Sequence, residues 1–113
     1  MQLPAKFTGH TTWADIPKCG EGQIRDAIFR SDSELVLSLE YEGRAYDVQL
    51  KRDSGTVFRG TWSLREGGKV FQGPASCKVF SRADECFLFG RWDEDGVGYH
   101  WWAELDPNEN APS

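Results

Sequence analysis

Strict alternation of apolar and polar residues, broken by short turns, is the feature that most constrains how this chain folds. Residues 35–41 carry Leu or Tyr at every second position, and residues 46–50 repeat the pattern after Glu42-Gly43. Successive side chains of a β-strand point to opposite faces, so a period of two predicts strands with one buried face. A two-residue turn at Glu42-Gly43 predicts three apolar pairs, namely Leu39–Tyr46, Leu37–Val48 and Leu35–Leu50.

Four further turns keep the apolar residues on the same face of the predicted sheet. A three-residue loop at 53–55 predicts Leu50–Phe58, Val48–Gly60 and Tyr46–Trp62, and the turn Gly67-Gly68 predicts Leu64–Phe71, Trp62–Gly73 and Phe58–Cys77. A four-residue loop at 81–84 predicts Val79–Cys86 and Gly73–Trp92, and Asp95-Gly96 predicts Trp92–Tyr99, Gly90–Trp101 and Leu88–Ala103. Five turns therefore join six strands into an antiparallel meander with one continuous apolar face.

Two N-terminal strands extend the meander to about eight. Their inward residues are Phe7, Gly9, Thr11 and Trp13 in the first strand and Ala27 and Phe29 in the second. Residues 16–22, which include Pro17 and Gly20, are predicted to form a loop or a short cap. Because closure removes unpaired strand edges, we expect the first and last strands to pair. The predicted fold is all-β, an antiparallel up-and-down meander that closes into a single β-barrel domain over 1–113, with a flexible tail at 107–113.

Charge and cysteine content exclude several classes of partner. The chain has 13 basic and 18 acidic residues, so it lacks the basic face that nucleic-acid binding requires. Its apolar runs are too short for a membrane helix, and residues 1–4 lack the charged and apolar regions of a signal peptide. Three cysteines, an odd number, fit a reducing compartment better than a disulfide framework. These features predict a cytoplasmic protein with no nucleic-acid or membrane partner.

No motif indicates a catalytic group, a metal or another cofactor. Residues 93–96 contain three acidic residues, but the further oxygen ligands of a calcium loop are missing, which favours a solvated hairpin turn. Neither His10 nor His100 is placed beside a Ser or Cys that would complete a nucleophile–base pair. Cys77 and Cys86 are predicted to face inward as small apolar residues rather than as redox groups.

Glycine and tryptophan recur together on the predicted inner face. The register sets Gly73 beside Trp62 and Trp92, and it sets Gly90 beside Trp101. A glycine within a strand leaves room for a ring to lie across the backbone, and aromatic residues with polar atoms would then converge at one open end. Such a site suits a small apolar or aromatic ligand, and its predicted binding residues are Tyr46, Trp62, Trp92, Tyr99 and Trp101. A barrel packed solid by the same side chains fits the sequence equally well.

Two Gly-x-Trp strands, Gly60-Thr61-Trp62 and Gly90-Arg91-Trp92, give the chain a family resemblance. With its short length and meander, it resembles the calycin-type barrels, the avidin and lipocalin group, over residues 5–106. The resemblance implies an aromatic-lined ligand cavity at one end of the barrel. The chain departs from lipocalins in lacking their long first loop and C-terminal helix. It departs from avidins in lacking their Ser, Thr and Asn ligand contacts, so biotin is not supported as the ligand.

The predicted outer face carries four large aromatic residues, Phe80, Phe87, Phe89 and Trp102. Such clustering exceeds what a soluble monomer usually exposes, and it predicts an interface in a homodimer. The alternative to an interface is that the N-terminal segment or the loop around Cys19 folds over these residues. Three functions therefore stay open: a non-enzymatic small-molecule-binding barrel, which we favour; a protein-interaction module or inhibitor that uses the aromatic patch; and a barrel-type cyclase or isomerase.

Overall fold

The computed structural model describes residues 5–15, 18–82 and 85–107, and its elements are eight antiparallel strands. Each strand pairs with the next, and β1 pairs with β8 to close the barrel, so the predicted fold class is confirmed. The strands are β1 (Ala5–Asp15), β2 (Lys18–Ser31), β3 (Glu34–Tyr41), β4 (Arg44–Ser54), β5 (Val57–Glu66), β6 (Lys69–Arg82), β7 (Glu85–Glu94) and β8 (Val97–Pro107). Within these residues no helix is long and apolar enough to cross a membrane.

Closure depends on the β1–β8 pairing, which places Thr11 beside Ala103 and Trp13 beside Trp101. Thr11 is buried, and its Oγ1 donates a hydrogen bond of 2.9 Å to the Trp102 carbonyl oxygen. This bond satisfies a hydroxyl group that would otherwise be buried without a partner. It also ties the two ends of the meander together through a side chain as well as through the backbone ladder.

Three of the five predicted hairpin registers are confirmed. The β3–β4, β5–β6 and β7–β8 pairs agree with the sequence prediction, including Leu39–Tyr46, Trp62–Gly73 and Gly90–Trp101. All three connections are two-residue turns with positive φ at both positions, for example 48° at Glu42 and 78° at Gly43. That geometry matches the right-handed twist of the flanking strands, which explains why these short turns fix the register correctly.

The predicted β4–β5 register is wrong by two residues. Leu50 pairs with Gly60, Val48 with Trp62 and Tyr46 with Leu64. The cause is a bulge between Arg52 and Ser54, after which Gly55-Thr56 makes a two-residue turn in place of the predicted three-residue loop. Because the side-chain period is two, this shift leaves every apolar residue on its predicted face.

The β6–β7 register is also wrong by two residues. The strands continue to pair as far as Arg82 and Glu85, so the loop is shorter than predicted, and Val79 lies opposite Leu88 rather than Cys86. Trp92 consequently lies opposite Ala75 and not opposite Gly73. Gly73 keeps its predicted neighbour Trp62 but loses Trp92 as a direct partner.

The predicted loop or cap at 16–22 is wrong from residue 18 onward, because β2 begins at Lys18. Gly20 and Gly22 lie on β2 and pair with Trp13 and Thr11 of β1. Both lie under the indole of Trp13, which would approach an added Cβ to 3.2 Å and 3.1 Å. Here glycine makes room for a ring within a strand rather than marking a turn. Residues 16–17, residues 1–4 and the predicted tail after Pro107 lie outside the described residues.

The inner face of the barrel forms one core of buried apolar side chains. At the end marked by the β2–β3 and β4–β5 turns, Phe29 contacts Phe7 and Phe58 edge to face, with ring centroids 6.0 Å and 6.2 Å apart. These three rings fill the lumen at that end. The opposite end is marked by the turns 42–43, 67–68 and 95–96, and it is there that the candidate site lies.

Candidate functional site

A pocket of about 260 Å³ opens at the end of the barrel that carries the turns 42–43 and 95–96. Its walls come from the inner faces of six strands, and half of its lining residues are aromatic. The lining residues are Thr11, Trp13, Gly20, Leu39, Tyr41, Arg44, Tyr46, Trp92, Glu94, Asp95, Tyr99 and Trp101. A concave, largely apolar pocket with a few polar groups is the usual form of a small-molecule site.

Four of the five predicted ligand-binding residues, Tyr46, Trp92, Tyr99 and Trp101, line this pocket. The fifth, Trp62, is only 3% exposed and lies behind Trp92. The two indoles stack with centroids 5.3 Å apart and an interplanar angle of 10°. Trp62 therefore supports the wall of the pocket instead of forming its surface.

The indole N–H groups of Trp62 and Trp101 donate hydrogen bonds to backbone carbonyl groups. Trp62 Nε1 donates to the carbonyl oxygen of Asp93 at 2.8 Å. Trp101 Nε1 donates to the carbonyl oxygens of Arg91 at 2.9 Å and Ser76 at 3.1 Å. These bonds satisfy the polar atom of each ring and fix the ring's orientation.

Glu94 connects two aromatic walls of the pocket. Trp92 Nε1 donates to Glu94 Oε1 at 2.9 Å, and the Tyr46 hydroxyl donates a longer bond of 3.3 Å to Glu94 Oε2. Burial raises the pKa of Tyr46, and the nearby negative charge of Glu94 raises it further. The phenol therefore stays protonated and remains a donor to the carboxylate throughout the neutral pH range.

Arg44 is the cationic residue among the lining side chains. Its Nε lies 3.3 Å from Glu66 Oε2, and about half of each side chain is exposed. A hydrogen bond with Tyr46, followed by the charge of Glu66, raises the pKa of Arg44. Because this ion pair is exposed, it contributes little to stability, but it occupies the guanidinium group.

Two aromatic residues of the pocket, Trp13 and Tyr41, were not among the predicted site residues. Their ring centroids are 4.2 Å apart and their planes meet at 75°. Tyr41 continues the inward alternation two residues after Leu39, so the pattern itself contained the signal for it. Placing Trp13 required the β1–β8 register, which brings it beside Trp101. Glu94 could also have been found, because it lies two residues beyond Trp92 on the inner face.

The two described inward cysteines offer no reactive thiol. Burial raises the pKa of Cys77 to about 12, with a smaller contribution from Cys86, and burial raises the pKa of Cys86 to about 11. A thiol reacts as the thiolate, so both are inert at neutral pH. Within 5–15, 18–82 and 85–107, no three His, Cys, Asp or Glu residues are grouped as metal ligands. The side chain of Cys19 lies outside the description.

On the outer face, the four predicted interface residues form what we call the outer patch: Phe80, Phe87, Phe89 and Trp102. Phe80 pairs with Phe87 across β6 and β7, and Phe89 pairs with Trp102 across β7 and β8. Phe80, Phe87 and Phe89 are 51%, 37% and 45% exposed, whereas Trp102 is partly buried. Within the described residues, neither the N-terminal segment nor β2 covers the patch, since both are strands of the barrel wall.

No protein-family model matches this chain, and no curated protein or solved structure matches it significantly either. The resemblance to calycin-type barrels is therefore supported by architecture, a closed up-and-down barrel of eight strands. Membership of that group stays a prediction.

Proposed function

We propose that this protein is a non-enzymatic barrel that binds a small, largely apolar or aromatic molecule in its open end. The observation that carries the proposal is the aromatic lining of the pocket at that end. Together with Trp101, five aromatic side chains line a volume of about 260 Å³, namely Trp13, Tyr41, Tyr46, Trp92 and Tyr99. Burial of a flat apolar ligand against these rings supplies the driving force for binding.

The size of the pocket indicates the size of the ligand. An engineered apolar cavity of about 150 Å³ in another protein accepts benzene. A pocket of about 260 Å³ therefore admits a substituted ring or a small fused ring system. This volume lies just below the range for small-molecule sites, roughly 300–1,000 Å³, so a long lipid chain is a poorer fit.

The walls are held in place before a ligand arrives. The indole N–H groups of Trp92 and Trp101 are hydrogen-bonded within the protein, and Trp62 stacks behind Trp92. Among the described residues, every buried side-chain nitrogen and oxygen has a hydrogen-bond partner. Binding consequently requires little ordering of side chains, which lowers its entropic cost.

The proposal is tested by titrating the protein with p-cresol and toluene while recording the indole N–H resonances by NMR. We expect saturable shifts of the Trp92 and Trp101 signals and no shift of the exterior Trp102 signal. Tyr99→Ala removes part of the wall and should weaken binding about tenfold, equivalent to about 1.4 kcal/mol. Trp102→Ala is the matched control and should bind as the wild type does.

A titration without saturable shifts at any of the pocket tryptophans would show the proposal to be wrong. Equal weakening by Tyr99→Ala and Trp102→Ala would also contradict it, because binding would then not depend on the open end. Far-UV circular dichroism of each variant establishes that the barrel is folded before binding is compared.

A further inference from the structure

Negative charge predominates at the mouth of the aromatic pocket. Glu94 and Asp95 belong to its lining, and Glu66 lies close by in contact with Arg44. Arg44 is the cation among the lining residues, and it is already bound by Glu66 and Tyr46. These three carboxylates outnumber the one guanidinium, so the mouth of the pocket carries a net negative charge.

Glu94 is fixed directly at the edge of the aromatic walls. Its two carboxylate oxygens each accept a hydrogen bond, one from Trp92 Nε1 and one from the Tyr46 hydroxyl. The side chain is partly buried, so a ligand that fills the pocket displaces water that still solvates the carboxylate. A neutral apolar ligand leaves that desolvation uncompensated, whereas a positive charge on the ligand compensates it.

The aromatic lining favours the same kind of ligand. The faces of Trp and Tyr rings attract a cation that lies within about 6 Å of the ring centroid, and Trp is the strongest of them. Five aromatic residues form the walls here, and a carboxylate stands at their rim. We propose that the natural ligand is an organic cation, an ammonium group attached to an apolar or aromatic body. This inference rests on the proposed function and names the class of ligand.

The test compares benzyltrimethylammonium with its neutral analogue, in which carbon replaces the nitrogen, by the same NMR titration. We expect the cation to bind at least tenfold more tightly than the neutral analogue. Glu94→Gln removes the charge and keeps an oxygen to accept the Trp92 bond, so the preference should fall to about threefold or less. Glu34→Gln, an equal loss of charge at the opposite end of the barrel, should leave the preference unchanged.

The outcomes separate this inference from the proposed function. If the neutral analogue binds as tightly as the cation, the cation preference is wrong and the apolar binding site stands. If the cation preference survives in Glu94→Gln, the role assigned to Glu94 is wrong. If neither probe binds the wild type, the proposed function fails together with the inference.

A second, independent inference comes from the outer patch and the two charged residues that border it. Lys78 on β6 lies beside Phe89 on β7, and Glu104 on β8 lies beside Phe87 on β7. The six side chains form two rows across three strands, Phe80–Phe87–Glu104 and Lys78–Phe89–Trp102. Lys78 and Glu104 thus occupy opposite corners of the block, and Phe80 and Trp102 occupy the other two.

This arrangement is complementary to itself. A two-fold axis along the Phe80–Trp102 diagonal, between two facing copies, sets Lys78 of each copy opposite Glu104 of the other. A two-fold axis parallel to the strands would instead set the apolar Phe80 of each copy opposite Glu104 of the other. From strand spacing and rise, the diagonal axis makes the strands of the two copies cross at roughly 70°, near the orthogonal class of sheet packing. We infer that the occupant of the outer patch is a second copy of this chain, related by that axis.

Charge reversal tests the axis. Sedimentation velocity should show a dimer for the wild type, and Lys78→Glu and Glu104→Lys should each raise the dissociation constant at least tenfold. The double variant restores opposite charges across the axis and should return to within about threefold of the wild type. Arg25→Glu, which reverses a charge on β2 away from the patch, is the control and should not affect dimerisation. A monomeric wild type, or a double variant as weak as the single ones, would overturn the inference.

Discussion

Gly73→Ala tests the central packing feature of the barrel, the passage of an indole across a glycine. Gly73 lies on β6 opposite Trp62, and Trp62 Nε1 reaches over it to the carbonyl oxygen of Asp93 on β7. A Cβ placed on Gly73 would lie 2.7 Å from Trp62 Nε1 and 2.6 Å from the Asp93 oxygen. Both distances are too short for carbon, so the indole or the backbone must move.

The magnitude of the effect follows from what that movement breaks. Inserting a methyl group into a well-packed core costs about 1–3 kcal/mol. Separating Trp62 Nε1 from its acceptor while the ring stays buried costs about 1–3 kcal/mol more. Because one displacement causes both losses, we expect them to overlap and the free energy of unfolding to fall by about 2–4 kcal/mol. For a domain of this size, the melting temperature should fall by roughly 8–20 °C.

Gly98→Ala provides the matched control. Gly98 is an exposed strand glycine, and the nearest atoms to an added Cβ are the ends of the Arg91 and Asp93 side chains, both at 3.1 Å. These ends can move without disturbing the core. We expect Gly98→Ala to leave stability unchanged or to raise it by up to about 1 kcal/mol, because alanine lowers the entropy of the unfolded chain.

The assay is urea unfolding of both variants and the wild type, followed by tryptophan emission and far-UV circular dichroism. Near-UV circular dichroism of the folded proteins reports directly on the environment of the Trp62–Trp92 stack. The reasoning is refuted if Gly73→Ala unfolds within about 0.5 kcal/mol of Gly98→Ala, since the additional methyl group would then fit without displacing the indole.

Three further predictions follow from turns, glycines and thiols. Gly60→Ala should destabilise more than Gly73→Ala in the same urea assay, because its Cβ would collide with the Gln49 backbone, which cannot move aside as a side chain can. Glu42→Asn should raise stability by a few tenths of a kcal/mol up to about 1 kcal/mol, since φ is 48° there and Asn tolerates this conformation better. The pKa values of Cys77 and Cys86 are raised to about 12 and 11 from an ordinary 9.0, so the thiols ionise at lower pH in the unfolded chain than in the folded one. The free energy of unfolding should therefore be constant below pH 9 and fall as pH rises toward 11–12. This fall should be less steep in Cys77→Ala.

The inward or outward direction of most side chains could be predicted from the sequence, whereas two hairpin registers could not. Alternation specifies which face a residue occupies, and a shift by two residues leaves that face unchanged. The pattern around Leu50 is therefore equally satisfied by a pairing with Phe58 or with Gly60. The bulge after Arg52 decides between them, and nothing in the alternation marks its position.

The candidate site was only partly predictable for a different reason. Trp92, Tyr99 and Trp101 lie in the single β7–β8 hairpin, so one local register sufficed to bring them together. Tyr46 lies on β4, and alternation placed it on the inner face even though its predicted pairing with Trp62 is wrong. Trp13 reaches the same pocket through the contact between the first and last strands, which is the pairing most distant in sequence. Long-range closure could be expected from the need to cover strand edges, but its register could not be derived from local pattern.

Trp62 and Trp101 share one mode of packing along the barrel wall. Trp62 on β5 passes over Gly73 on β6 and donates to the Asp93 carbonyl oxygen on β7. Trp101 on β8 reaches across β7 in the same way and donates to the Ser76 carbonyl oxygen on β6. In both cases the indole crosses the neighbouring strand and bonds to the strand beyond it. A glycine on the crossed strand, directly opposite the tryptophan, makes room for the ring. Each indole therefore lies along the wall instead of projecting across the lumen.

This packing explains why one barrel is filled at one end and open at the other. Phe7, Phe29 and Phe58 have no polar atom to anchor them to the wall, and their rings meet edge to face across the lumen. At the opposite end the anchored indoles leave the centre free, and that space is the pocket. A methyl group on Gly73 would push Trp62 off the wall and press its stacked neighbour Trp92 toward the cavity. Stability and ligand binding should consequently be lost together in Gly73→Ala, since both depend on the same bare stretch of backbone.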